Sequence, residues 1–215
     1  MNKLRTAGQL QDYLDAEFSW RLKEIASLKI AVRQASYLSE STVIRASIAL
    51  LYAHWEGFVK NAATGYLNFV DCQGLRYAEL KNCFVVLGLK KSINILVESR
   101  RSHASINALD FVRAQLNERA SLKFESAINT EDNLNSAVLE NILLAMGFDP
   151  TFYESKANLI DKSLLKRRNS IAHGEFLDVA AEEWRDLADE ILKIIRQIKT
   201  DIENAAALSS YKVPP

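Results

Sequence analysis

The chain has 215 residues, 48% of them hydrophobic, and a formal net charge of zero. That suits one domain with a substantial core, or one domain carrying an insertion. A neutral whole excludes a general attraction to nucleic acid, so any such attraction is local, and no apolar run reaches the roughly 18 residues that suggest a membrane span.

Proline occurs only at Pro150, Pro214 and Pro215. So few forced breaks favour long helices, sustained period-two alternation is absent, and an all-α domain without a sheet is expected. The start, Met1 to Arg5, reads as the approach to an amphipathic helix rather than as a signal peptide. Cys72 and Cys83 lack the paired spacing of a zinc site and read as small buried hydrophobes of a reducing, cytoplasmic setting.

The first helix is predicted over 7–38, where Leu10, Leu14, Phe18, Leu22, Ile25, Leu28 and Val32 recur at steps of three and four. Ser39 and Ser41 fit a break and a new N-cap. A second helix, 42–70, is apolar nearly all round through Tyr52, which marks a central helix. Ala53, Gly57, Asn61 and Gly65 lie four apart on it and predict a close helix crossing. The stretch 72–130 reads as an insertion. It holds a helix near 78–98, a polar loop from Glu98 to His103, and a helix over 102–120 with Ile106, Leu109, Val112 and Leu116 on one face. Residues 83–89 fit a buried strand equally well, because periodicity does not decide so short a run.

A helix over 133–146 ends near Gly147. The next, 153–173, keeps Leu159, Ile160, Leu164, Leu165 and Ile171 at helical spacing and stops at Gly174. The last spans 179–206, with Trp184, Leu187, Ile191, Ile194, Ile195, Ile198 and Ile202 as its buried stripe. Glu182, Glu183 and Asp186 suit its N-terminus. Residues 209–215 read as a disordered tail. Trp20, Trp55 and Trp184 all read as core.

Charge is unevenly placed. From Lys156 to His173 there are five basic residues and one acidic one, a net of +4, whereas 178–203 carries a net of −4. The basic end holds Arg168-Asn169-Ser170-Ile171-Ala172-His173. An arginine grips phosphate with two parallel hydrogen bonds, and a histidine moves protons near neutral pH. Nearby Arg and Lys disfavour the protonated imidazole while the helix end favours it, and the sequence leaves that balance open. Asn169 precedes His173 by four residues and shares its helical face. Tyr52, Glu56 and Lys60 share a face of the second helix, which could lie against the site with Glu56 anchoring Arg168 or Asn169. Arg167 adds a further cation beside Arg168. His54 falls on a different face and reads as a core or surface residue, and His103 as part of a solvated loop. No glycine loop for phosphate, nucleophile elbow or metal-ligand cluster appears, and no cofactor is expected.

The segment Arg168 to Glu175 resembles the Arg-x(4–6)-His signature of the HEPN superfamily, in which the residue after the Arg is commonly Asn, Asp or His. Tyr52-Ala53-His54-Trp55-Glu56-Gly57-Phe58-Val59-Lys60 resembles a second-helix block of stand-alone prokaryotic members. The resemblance implies a helical bundle of about six to seven helices forming a single domain, often a homodimer. It also implies a metal-independent endoribonuclease of the toxin–antitoxin, defence or RNA-processing kind, with Arg168 and His173 as the active pair and Asn169 in support. The alternative it leaves is a non-catalytic module of the same fold that binds nucleotide, RNA or a partner protein. Antitoxins that modify such toxins often do so on a Tyr two places after the His. Glu175 stands there instead, so a partner antitoxin of that kind is in doubt.

Overall fold

The computed structural model describes residues 3–123, 128 and 133–214. Its helices are α1 (Ala7–Gln34), α2 (Glu40–Cys72), α3 (Asn82–Glu98), α4 (Ser102–Gln115), α5 (Ser136–Ala145), α6 (Thr151–Glu154), α7 (Lys166–Ala172) and α8 (Ala181–Ala207). A 3₁₀ turn spans Tyr77–Glu79, and a π-helix, Leu159–Leu165, runs directly into α7. Among the described residues only isolated bridges join extended segments, at Arg76 with Arg119 and at Leu80 with Lys212. The fold is all-α.

Helix α1 starts at a capping box: the Thr6 hydroxyl accepts from the Gln9 amide at 3.1 Å, and the Gln9 side chain accepts from the Thr6 amide. Two orphan amides are satisfied reciprocally. It ends at Gln34, four residues earlier than its apolar stripe suggests, because Ala35 turns extended. Tyr37 and Leu38 are left 94% and 92% exposed.

Helix α2 is the central element and packs against α1, α7 and α8. Of its row of small residues, Gly57 and Gly65 are where α1 crosses, while Ala53 is exposed. A Cβ on Gly65 would stand 2.7 Å from the Tyr13 ring, and one on Gly57 would stand 3.2 Å from the Arg21 guanidinium. Around that crossing lies a polar cluster. Arg21, only 4% exposed, donates to Glu17 at 2.6 Å, and Asn61 donates to the same carboxylate at 2.7 Å. His54, equally buried, faces Glu24 at 3.1 Å and meets the edge of Trp20.

Several expectations are corrected. The segment 153–173 is not one α-helix: α6 is a single turn, and the π-helix follows it. A π turn takes up one residue more than an α turn, so it re-aims the side chains after it. Here its Asp161 turns to α5, accepting from the Ser136 amide at 2.7 Å and the Ser136 hydroxyl at 2.6 Å. Residues 83–89 are helical, and the polar loop shrinks to Ser99–Arg101, which puts His103 in the first turn of α4. Ile106 and Leu109 face solvent, whereas Ala108 is buried and Val112 and Leu116 are half-buried, as α4 packs on α3. Trp20 is 48% exposed, unlike Trp55 and Trp184. The tail is docked: Tyr211 is buried against Phe69, the Lys81 amide donates to the Tyr211 carbonyl, and the Val213 amide donates to the Glu79 carbonyl. Of the stretch expected as an insertion, 124–127 and 129–130 lie outside the described residues.

Burial, the largest effect on His54, lowers its pKa, and the positive charge of Arg21 adds to this while Glu24 opposes it. Protonation is therefore easier in the unfolded chain. Stability from a neutral His54 is complete above about 6.5 and is lost as the pH falls below it. Urea denaturation between pH 7.5 and 5 is expected to show that decline in the wild type and a shallower one in His54→Gln. Equal slopes would show that His54 does not contribute.

Candidate active site

Helix α7 lies along the face of α2 that carries Arg45, Tyr52 and Glu56. Tyr52 is 3% exposed, and its hydroxyl accepts from the Leu134 amide at 2.7 Å. Three residues on, the indole N–H of Trp55 donates to the Leu134 carbonyl at 3.3 Å. One turn of α2 thus holds both backbone groups of a fully buried residue just before α5, and an unmet peptide group there would be costly.

The same tyrosine carries the key cation. The Arg168 guanidinium carbon sits 4.0 Å from the centre of the Tyr52 ring, and its Nη1 donates to the Asn169 carboxamide at 2.9 Å. Stacking on an aromatic face and a side-chain bond hold the fork in one orientation. Burial raises the pKa of the Tyr52 phenol most, and the Glu56 charge raises it further, while the Leu134 amide and Arg168 pull it down. The phenol therefore stays neutral at ordinary pH and acts as a support.

His173 occupies the end of α7 with its side chain exposed. Its amide donates to the Asn169 carbonyl at 2.9 Å, the Gly174 amide to Ile171 at 3.1 Å and the Glu175 amide to Ser170 at 2.9 Å. This is a Schellman end. Gly174 has φ +75, and no atom lies within 4 Å of where its Cβ would be. The glycine is needed for the left-handed backbone rather than for space. Beyond it, Arg45 of α2 donates from Nη2 to the Glu175 carbonyl at 3.0 Å.

The remaining expected site residues divide. Glu56 is half-buried beside Tyr52 but makes no hydrogen bond or ion pair among the described residues; Arg168 is contacted instead by Tyr52 and Asn169. Lys60 is exposed farther along α2. Arg167 is engaged in an ion pair with Glu183 of α8 at 2.7 Å. Sequence reasoning missed Arg45, whose only signal is its place seven residues before Tyr52 on one face of α2. Among the described residues no group of three or more His, Cys, Asp or Glu is placed to hold a metal.

A helical bundle with an Arg and a His on one short helix packed against α2 fits the HEPN class. The profile of the RiboL-PSP-HEPN family matches residues 16–204, and the chain belongs to that family. No curated protein and no solved structure matches it.

Tyr52→Phe keeps the ring beneath Arg168 and removes the acceptor of the Leu134 amide. It is expected to cost about 1–3 kcal/mol in urea denaturation, and Tyr52→Leu is expected to cost more because the guanidinium also loses its platform. A Tyr52→Phe protein as stable as the wild type would contradict the bond.

Proposed function

We propose that the protein is a metal-independent endoribonuclease whose active site combines Arg168 and His173 from two copies of the chain. The observation that carries this reading is the contrast between the two side chains. The guanidinium is stacked and oriented on Tyr52, while the imidazole is exposed at a braced helix end. That pairing suits a pre-aimed anion holder beside a proton carrier.

RNA brings its own nucleophile. In the proposed reaction one His173 takes the proton of the 2′-hydroxyl as the 2′-oxygen bonds to phosphorus. The P–O5′ bond breaks, and the second His173, protonated, gives its proton to the leaving 5′-oxygen. Both Arg168 forks stabilise the charge on the crowded phosphate. The products are a 2′,3′-cyclic phosphate and a 5′-hydroxyl. Asn169 and Tyr52 orient Arg168. Glu56 adds negative charge behind Tyr52, and Lys60 extends a basic path for the strand, which Arg167 joins by exchanging Glu183 for phosphate.

One chain supplies one such histidine, so base and acid require a twofold partner. The outer side of α2 offers a surface for it. Ala46, Leu50 and Ala53 recur at steps of four and three, with Ala46 and Ala53 exposed and Leu50 42% exposed. Trp20 flanks this strip on the α1 side, and Tyr52 with Arg168 flanks it on the other. Small side chains let a second helix approach closely. A homodimer seated there brings two sites to one seam. With Glu175 after the helix end, control by tyrosine modification is not part of this proposal.

The test is incubation of the purified protein with RNA, with and without EDTA, followed by end-group analysis. Cleavage is expected to survive EDTA and leave cyclic phosphates, and His173→Ala is expected to lower the rate by about 100-fold or more. A His173→Ala protein that cuts as fast as the wild type refutes the assignment. Binding of RNA without cleavage by the wild type would favour a non-catalytic binding module.

A further inference from the structure

The segment 168–175 touches α2 at both of its ends. At the start, Arg168 lies on Tyr52. At the finish, the Glu175 carbonyl accepts from Arg45 at 3.0 Å, across 130 residues of sequence. Arg45 and Tyr52 are seven residues apart on α2, which is two turns and about 10 Å along one face of the helix. The two contacts therefore bracket His173 between fixed points on the most buried helix of the bundle.

The second point matters because α7 does little to hold itself. It has seven residues, none of them buried, and its last turn closes through backbone bonds alone. Short helix ends fray, and a left-handed glycine at the exit lets the chain swing. The amides of His173, Gly174 and Glu175 all point back into α7. The Glu175 carbonyl is the group through which this exit is tied to another element. Arg45 also departs from ordinary burial: its Nε is buried and has no hydrogen-bond partner among the described residues. An orphan donor of this kind calls for an explanation, and the role of the same guanidinium at the site exit supplies one.

We infer that Arg45 is a positioning residue for His173: its bond to the Glu175 carbonyl sets where the imidazole stands relative to Arg168. The inference deepens the ribonuclease reading and rests on it for the catalytic consequence, though not for the structural one. A displacement of about 1 Å at a reacting group can cost on the order of 100-fold in rate. Loosening the exit should therefore act on turnover, while RNA still binds through cations that Arg45 does not touch.

The experiment compares wild type with Arg45→Lys, which keeps the charge and one flexible donor, and Arg45→Met, which keeps a similar stem and no donor. Two readouts are taken on each full-length protein: kcat and KM for RNA cleavage, and the ring 1H–13C resonances of His173, assigned with His173→Gln. Arg45→Met should lower kcat by about 10- to 100-fold with KM within about twofold, and move the His173 ring signal toward that of a free histidine. Arg45→Lys should restore part of both. A folded Arg45→Met protein with an unchanged His173 signal overturns the inference, as does a change in KM alone. If the wild type cuts no RNA, the ribonuclease reading falls and the ring signal still decides the role of Arg45. Should Arg45→Met not fold, the Lys variant and Arg45→Gln carry the comparison, and His173 signals identical to wild type in both overturn it.

Discussion

The stacking of Arg168 on Tyr52 is the interaction on which the rest of the site depends. It is built from the core outward. Tyr52 is buried because α2 is the central helix, and its hydroxyl is used up by the Leu134 amide. The bond fixes the phenol oxygen, since shifting it would leave a buried amide unmet, and close packing around the 3%-exposed side chain holds the plane of the ring, so it forms a rigid plate. A guanidinium on a rigid plate keeps its orientation without losing its charge. Asn169 then settles which edge of the fork faces outward. The geometry of a half-buried cation is thus inherited from a hydrogen bond in the interior.

The opposite side of α2 shows the same economy. Gly57 and Gly65 bring α1 close enough for Arg21, Glu17 and Asn61 to share one buried network. Buried charges of this kind are costly unless they are paired and hydrogen-bonded, and the Arg21 guanidinium also rests near the Trp20 ring, 4.4 Å from its centre. One helix therefore holds a polar crossing on one side and the cation plate on the other. The strip between them, from Ala46 to Ala53, is exposed at Ala46, Leu50 and Ala53, and that is where the proposed seam lies.

Much of the fold was legible in the sequence because long helices leave a periodic record. The stripes from Leu10 to Val32 and from Trp184 to Ile202 fall where the core is. The exit at Gly174 was readable because a left-handed cap favours glycine. The π-helix was not readable: Leu159, Ile160, Leu164 and Leu165 suit an α or a π turn, and only backbone bonds reaching five residues back, such as the Lys166 amide to the Asp161 carbonyl, tell them apart. Trp20 looks like core by spacing, yet it lies at the edge of the α1 face, half-covered by its contacts with His54 and Arg21. The docked tail was hidden because, beyond the single Tyr211 ring on Phe69, it is held by backbone bonds to Lys81 and Glu79, which leave no side-chain pattern. At the site, the hexapeptide showed Arg168 and His173, but the choice of Tyr52 over Glu56 as the support, and the reach of Arg45, depend on tertiary distances.

The central claim is that two copies of residues 168–173 meet across one symmetric seam. A pulsed dipolar distance measurement on full-length protein tests it most directly, with a spin label at Glu175→Cys and with Cys72 and Cys83 replaced by Ser. The account predicts a single narrow distribution at short distance, which Ala53→Glu in the α2 strip abolishes. A protein without intermolecular coupling, or with two labels far apart and indifferent to Ala53→Glu, would contradict it.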